Sequence, residues 1–324
     1  MTEFTPISLA ARDIPPPTTI SPEARAALSE GAVAPAPMWP PPDDLEAWRT
    51  AVAEGMAMWE PIAALVLSTA RASVETVSIG GVTCHVATPA SASADGPVYL
   101  FMHGGAFAFG AGPYAKMQAA LQADRLGPAT VSVDYRTPPD HPFPAAPEDC
   151  FAVYRALIEQ HRPERIVIGG SSAGGNLAAA LALMIRDRGL PQPAGVVLLT
   201  PEIDLTESGD SFRTNAVLDT SLHGPMPNAN AVYASGHDLT DPYLSPLYGD
   251  LAGLPPTLIQ TGTRDLFLSN SVLMHRKLRK AGVEADLHVW EAMPHAGFGP
   301  FGAGDSPENA EIDDEVRRFI LRHA

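Results

Sequence analysis

Arg165-Ile166-Val167-Ile168-Gly169-Gly170-Ser171-Ser172-Ala173-Gly174-Gly175-Asn176-Leu177-Ala178-Ala179-Ala180 decides the reading of this chain. An apolar run of strand type breaks into small residues and restarts as a helix former, with Ser172 at the centre of Gly-x-Ser-x-Gly. A strand that turns so sharply into a helix admits only small residues beside the serine. The turn leaves the hydroxyl above the sheet and close to a helix N-terminus, the geometry of a nucleophile elbow.

Outward from this turn, apolar strands alternate with helices of ten or more residues. Strand patterns cover Val74 to Ile79, Val82 to Ala87, Val98 to Met102, Ala129 to Asp134, Gly195 to Leu199, Thr257 to Thr261 and Ala285 to Trp290. Gly80-Gly81 joins the first two as a hairpin. Helical patterns cover Tyr114 to Leu126, Ala146 to Gln160, Gly174 to Arg188, Leu268 to Ala281 and Pro307 to His323. This alternation predicts an α/β fold with a mostly parallel central sheet covered by helices on both sides.

Residues 1 to 42 contain ten prolines and are expected to be extended or irregular, apart from a short helix at Pro22 to Leu28. From Asp43 to Glu60, Leu45, Trp48, Val52, Met56 and Trp59 recur at helical spacing, with Asp43 or Asp44 as cap. Such a helix needs something apolar to cover, and the mouth of a pocket is the obvious candidate. Residues 1 to 72 thus read as a proline-rich and helical cap region, and residues 73 to 324 as the core. Within the core, the turn-rich segment 202 to 254 reads as a cap or pocket insertion with a helix over Pro227 to Ala234.

A serine hydroxyl is almost wholly protonated at neutral pH, so Ser172 needs a base, and the base needs an orienting acid. Among ten histidines, His295 stands in a loop directly after the last strand, Met293-Pro294-His295-Ala296-Gly297-Phe298. His103 also follows a strand, but glycines crowd it and a structural role is expected. Asp265 follows a buried strand in Gln260-Thr261-Gly262-Thr263-Arg264-Asp265, thirty residues before His295. Loops at the carboxyl ends of parallel strands are where such folds place their sites. Asp134 is the rival acid, although Tyr135-Arg136 after it suggests structural hydrogen bonding. For the developing oxyanion, the amides of Gly104, Gly105 and Ala173 are the candidate donors. Phe107, Phe109, Tyr114, Phe212, Leu218, Phe267, Trp39, Trp48 and Trp59 are candidates for an apolar pocket, each of them also a good core filler. The glycines fit neither a dinucleotide fingerprint nor a phosphate loop, and no His, Cys and acidic group shows metal spacing. No cofactor and no metal are therefore expected.

Several further segments recur in one order: His103-Gly104-Gly105-Ala106 with Phe107 to Gly110, Asp134-Tyr135-Arg136 with His141-Pro142-Phe143-Pro144-Ala145, Gly170-Ser171-Ser172-Ala173-Gly174-Gly175, Asp204-Leu205-Thr206, Asp265, and His295 to Phe298. From about Val98 onward this set resembles the hormone-sensitive-lipase family of α/β-hydrolases, in its bacterial carboxylesterase branch. The resemblance implies ester hydrolysis, with Ser172 as nucleophile, His295 as base, Asp265 as orienting acid and the Gly104, Gly105 and Ala173 amides as oxyanion hole. It also implies a helical cap, short- to medium-chain acyl esters as substrates, and homodimers, which recur in the family. Some relatives open cyclic esters, so a lactone, terpene lactones included, stands beside an open-chain ester as substrate. An amidase would use the same constellation. A non-catalytic small-molecule receptor would have no chemical need for all three of Ser172, Asp265 and His295. This chain departs from the pattern with Ala106 in place of a third glycine, with Ser171 before the nucleophile and with Leu266-Phe267 after the acid.

With 324 residues, 45% of them hydrophobic, the chain can bury a large core. Its 21 basic and 37 acidic side chains leave a charge of −16 with no basic patch, which argues against nucleic acid as a partner. Cys84 and Cys150 both lie in apolar sequence, suiting buried free thiols better than a disulfide scaffold. The N-terminus, Met1 to Asp13, lacks a basic region followed by an apolar core, and no run approaches 18 uninterrupted apolar residues. A cytoplasmic protein without stable membrane association is the resulting expectation.

Overall fold

The apolar runs that begin at Val98 and Ile166 lie side by side at the centre of an eight-stranded sheet. The computed structural model describes residues 7–8, 10–34, 38–93, 95–299 and 304–324. Met1 to Pro6, Leu9, Pro35 to Pro37 of the proline-rich region and Ala94 of the turn before Val98 lie outside the described residues, as do Pro300 to Ala303. The strands are β1 (Ser73–Ile79), β2 (Val82–Thr88), β3 (Val98–Met102), β4 (Ala129–Val133), β5 (Ile166–Ser171), β6 (Gly195–Leu199), β7 (Thr257–Gly262) and β8 (Ala285–Trp290). Their order across the sheet is β1-β2-β4-β3-β5-β6-β7-β8. β1 and β2 form the expected antiparallel hairpin, β2 also runs antiparallel to β4, and every other pairing is parallel.

Every residue of β3 is buried, which requires a layer on each face. Alternation along the strand serves the two layers separately. Tyr99 and Phe101 join Val167, Val197 and Leu258 in a cluster closed by Leu126 of α3 (Pro113–Leu126) and by Val316, Phe319 and Ile320 of α9 (Pro307–His323). Leu100 and Met102 face the larger core, built with α4 (Ala145–Leu157), α5 (Ala173–Asp187) and α8 (Leu268–Lys280). Both cysteines are buried and free.

The chain passes from β3 to β4 on one side and returns to β5 on the other, so the carboxyl ends of β3 and β5 meet at a switch of strand order. This is where open α/β sheets leave a crevice. Met102 pairs with Gly170 in the register there, bringing the segment after each strand into contact. A Cβ on Gly174 would fall onto the carbonyl oxygens of Met102 and His103, so α5 can approach β3 only with glycine at that position.

Among the described residues two helices precede the sheet, and they do different work. α2 (Leu45–Thr69) is capped by Asp44, whose carboxylate accepts the Ala47 N–H at 3.0 Å. It runs nine residues past the expected end at Glu60, with Pro61 inside it. By length and composition alone it could cross a membrane, but here it lies along α3 and over the crevice. α1 (Pro22–Gly31) covers no pocket mouth. Ile20, Ala24 and Leu28 pack on Ala292, Met293 and Phe298 around the His295 loop, and Ser21 donates its N–H and Oγ–H to Glu308, each at 2.7 Å.

The segment after β6 contains α6 (Ser211–Thr214) and α7 (Pro227–Ala234), the latter as expected. Phe212, Met226, Ala229 and Val232 cluster with Trp48, with Ala106 and Ala108 after β3, and with Leu266 and Phe267 after β7. Residues distant in sequence are thereby gathered over one end of the sheet.

The tightness of the β5–α5 turn can be measured. Gly174→Ala should destabilise the fold by about 3 kcal/mol through overpacking against the β3 carbonyls. Denaturant unfolding reads this directly, and an unchanged midpoint would contradict the packing described.

Candidate active site

Ser172 sits at the sharp turn with φ 58° and ψ −122°, a strained conformation for a residue with a side chain. Its N–H donates to the Leu199 carbonyl at 2.9 Å, and its own carbonyl accepts the Asn176 and Glu202 N–H groups at 3.1 and 3.3 Å. The main chain is thus held on both sides while the hydroxyl projects into the crevice.

There the Ser172 Oγ lies 2.9 Å from His295 Nε2, and His295 Nδ1 lies 3.1 Å from Asp265 Oδ1. A carboxylate only accepts, so Nδ1 carries the imidazole proton and Nε2 is left to accept from the serine hydroxyl. Asp265 is wholly buried and His295 is 2% exposed. The Asp265 carboxylate also accepts from Thr261 Oγ1 at 2.6 Å and from the Phe267 N–H at 2.9 Å. The Phe267 ring meets the imidazole edge-on, with centroids 4.8 Å apart, and so limits its rotation.

Gly104 and Gly105 line the crevice beside Ser172, and Ala173 is the first helical residue of α5. Among the described residues, no turn, loop or side-chain acceptor takes the N–H of Gly104, Gly105 or Ala173. Gly105 has φ 128°, and a Cβ there would strike the Phe109 carbonyl. The loop stays in this form through Ala106 and Phe107, which also adopt positive φ. His103 holds it from below. Its Nδ1 is 2.9 Å from the Gly104 carbonyl, and its ring stacks on Tyr135 at 4.1 Å. Burial pushes the imidazole down to about 4, so His103 is neutral near pH 7. Asp134 stands away from this chain of side chains. It accepts the Gly112 N–H at 2.9 Å and faces His85 at 3.4 Å, and these contacts outweigh burial to keep its carboxyl below the usual range.

Three residues of this neighbourhood carry no recognisable sequence signal. Asp219, in the insertion, accepts the Leu266 N–H at 2.7 Å and the His295 N–H at 3.3 Å on one oxygen. Its other oxygen accepts the Ser221 and Leu222 N–H groups at 2.9 and 3.2 Å. One buried carboxylate therefore joins the loops of Asp265 and His295. Burial raises its carboxyl above the ordinary range, with His295 opposing the shift and Asp265 adding to it. Asn215 donates to the carbonyls of Thr263 and Asp265 at 3.2 and 2.8 Å, and Thr261 holds the second oxygen of Asp265. Asp219, Asp265 and His295 offer donor atoms within 4.8 Å of one another. The carboxylate oxygens are already engaged by N–H and O–H donors, so the set reads as a proton-handling cluster rather than a metal cradle.

The crevice opens into a cavity of about 780 Å³. Of the expected aromatic lining, Trp39, Trp59, Phe109 and Tyr114 face it. Trp48, Phe107, Phe212 and Phe267 are instead fully buried packing residues, and Leu218 does not line the cavity. Met58, Ile62 and Leu121 extend the apolar wall.

A family model described as alpha/beta hydrolase fold matches residues 99–298. An acetyl-hydrolase of Streptomyces hygroscopicus is 36% identical over 226 residues, covering 68% of this chain and 74% of that protein. An esterase of Acinetobacter venetianus is 35% identical over 195 residues, covering 59% of this chain and 64% of its own. The crystal structure of an esterase named E25 superposes with a TM-score of 0.89 at 34% identity, covering 98% of this chain and 99% of that one. An esterase from the bacterial hormone-sensitive lipase family superposes with a TM-score of 0.77 at 32% identity, covering 94% of this chain and 98% of that one. With a family model matching well over half its length, the chain belongs to the α/β-hydrolase family, and within it closely resembles the bacterial esterases of the hormone-sensitive-lipase group.

Proposed function

We propose that this protein is a serine carboxylesterase that cleaves short- to medium-chain carboxylic esters through an acyl-enzyme. The observation that carries the reading is the continuous hydrogen-bond chain from Ser172 through His295 to Asp265, at the floor of an apolar cavity and beside three available amides. Ser172 Oγ attacks the ester carbonyl carbon as its proton passes to His295 Nε2. Asp265 keeps the imidazole in the accepting tautomer and stabilises the imidazolium as it forms. Negative charge gathers on the former carbonyl oxygen, where the N–H groups of Gly104, Gly105 and Ala173 meet it; one well-aimed donor contributes about 3 kcal/mol. His295 then returns the proton to the leaving alkoxide. A water repeats the sequence on the acyl-enzyme, releasing the acid and restoring the serine.

Asp219 supports this chemistry by position. Four N–H groups converge on it, so the loops of acid and base share one anchor. The cavity volume suits acyl groups of moderate length. A lactone fits the same steps, its acid and alcohol leaving as one hydroxy acid. The described part of residues 1–72 acts in this reading as a cap, with α2 as the wall of the cavity and α1 as the support of the His295 loop.

The decisive experiment measures hydrolysis of para-nitrophenyl esters from acetate to palmitate, and of aliphatic and terpene lactones, by wild type and Ser172→Ala. Turnover should peak at short or medium acyl length and vanish in the variant; absence of Ser172-dependent turnover on every substrate would overturn the assignment. Asp265→Asn should lower kcat on the best ester by about 10⁴, because the amide no longer selects the accepting tautomer. Near-normal kcat would mean another acid serves His295. Asp219→Ala strands several buried N–H groups and should lower both the melting temperature and kcat, the latter by about tenfold to a hundredfold. A variant that melts earlier with kcat intact would confine Asp219 to stability.

A further inference from the structure

Behind the nucleophile turn, Glu202 is wholly buried, and neither of its carboxyl oxygens has a hydrogen-bond partner among the described residues. Its main chain is fastened to the turn at two points. The N–H donates to the Ser172 carbonyl at 3.3 Å, and the Glu202 carbonyl accepts Asn176 Nδ2 at 2.7 Å. Asn176 lies in the first turn of α5, and its own N–H donates to the same Ser172 carbonyl at 3.1 Å.

The charged groups acting on the Glu202 carboxyl are Glu207 and Asp204, both from its own loop and both acidic. α7 offers the Asn230 amide, whose Oδ1 is also unpartnered, whereas the Asn176 Nδ2 of α5 is spent on the Glu202 and Leu244 carbonyls. Among the described residues no cation acts on Glu202: Arg213 acts on Glu207, whose carboxylate is engaged with the Met226 N–H at 2.6 Å. Asp204 spends its oxygens on Thr206 and Ser208. An ionised Glu202 would therefore be an unpaired buried charge beside two others of the same sign. A carboxylic acid is the form that matches its surroundings, because it removes that unpaired charge and leaves an O–H able to donate where an ionised carboxylate can only accept. Burial, reinforced by Glu207 and Asp204 and opposed by Asn230, pushes this carboxyl up to about 8.

We infer that Glu202 is a positioning residue, held as a neutral acid behind Ser172, whose ionisation disables the nucleophile turn at alkaline pH. The inference rests on the serine-esterase reading. Charging the carboxyl forces it to shift or to admit solvent, and both main-chain ties pass that displacement to Ser172. The sign is fixed by linkage. Unfolded, Glu202 loses its proton near 4.5; folded, it keeps it to about 8, so its presence costs increasing stability as pH rises through that window and a constant amount above it.

Glu202→Gln keeps the shape and one donor of the neutral acid but cannot ionise. Wild-type kcat/KM on the best ester should fall on the alkaline side with an apparent pKa near 8, about tenfold below its plateau at pH 9, and this inflection should be missing from the variant. In parallel, the melting temperature of the variant minus that of wild type should increase from pH 5 to pH 8 and then level off. The same alkaline limb in both proteins would overturn the positioning role, and a thermal difference flat across the window would overturn the neutral acid. The thermal readout needs no substrate, so it is separable from the esterase reading, which fails only if no Ser172-dependent turnover exists.

Discussion

The carbonyl oxygen of Met102 occupies the space that any side chain on Gly174 would need, and the rest of the structure follows from this contact. Because α5 can press against the end of β3 there, the chain leaving β5 reverses within a few residues. Ser172 then stands at the turn where its side chain reaches the cavity. The same approach brings Gly104 beside the serine Cβ and the Leu199 carbonyl onto the serine N–H. Small residues in this turn are therefore a geometric requirement, and the positive φ of Ser172 is sustained by the sheet on one side and the helix on the other.

Electrostatics at the site depends on the donors that reach the two carboxylates beside His295. His295 is flanked by Asp265 through its ring and by Asp219 through its main chain, and both carboxylates are further engaged by N–H or O–H donors. Two buried acids can stand near one imidazole only because so many donors converge on them. Glu202, behind Ser172, differs from these two acids in having no such donor among the described residues.

Much of this arrangement is legible in the chain's own pattern. The strand and helix pattern from Val74 onward reproduces the sheet to within a residue or two at most ends, because strands buried on both faces are continuous apolar runs. Ser172, Asp265 and His295 stand out since each follows a strand whose carboxyl end lies at one edge of the sheet. Asp219 does not, for it lies in a segment without periodicity, and an aspartate that accepts main-chain N–H groups looks in sequence like one in solvent. α1 is readable as a helix but not as the support of the His295 loop, a contact between opposite ends of the chain. The sequence pattern ends α2 too early because Pro61 reads as a stop, whereas contacts along α3 carry the helix past it.

The sheet, its helices, and the identity of the serine, histidine and acid at its carboxyl edge were all readable from short stretches, since hydrophobic period and small-residue turns are local properties. Which aromatic residues face the cavity and which fill the core was settled by packing alone, because Trp39 and Trp48 differ in burial though not in chemistry. Packing also settled which acids are buried, what donors reach them, and hence what charge they can hold. Burial and hydrogen-bond partners are properties of segments brought together from far along the chain, and no single stretch of sequence contains them.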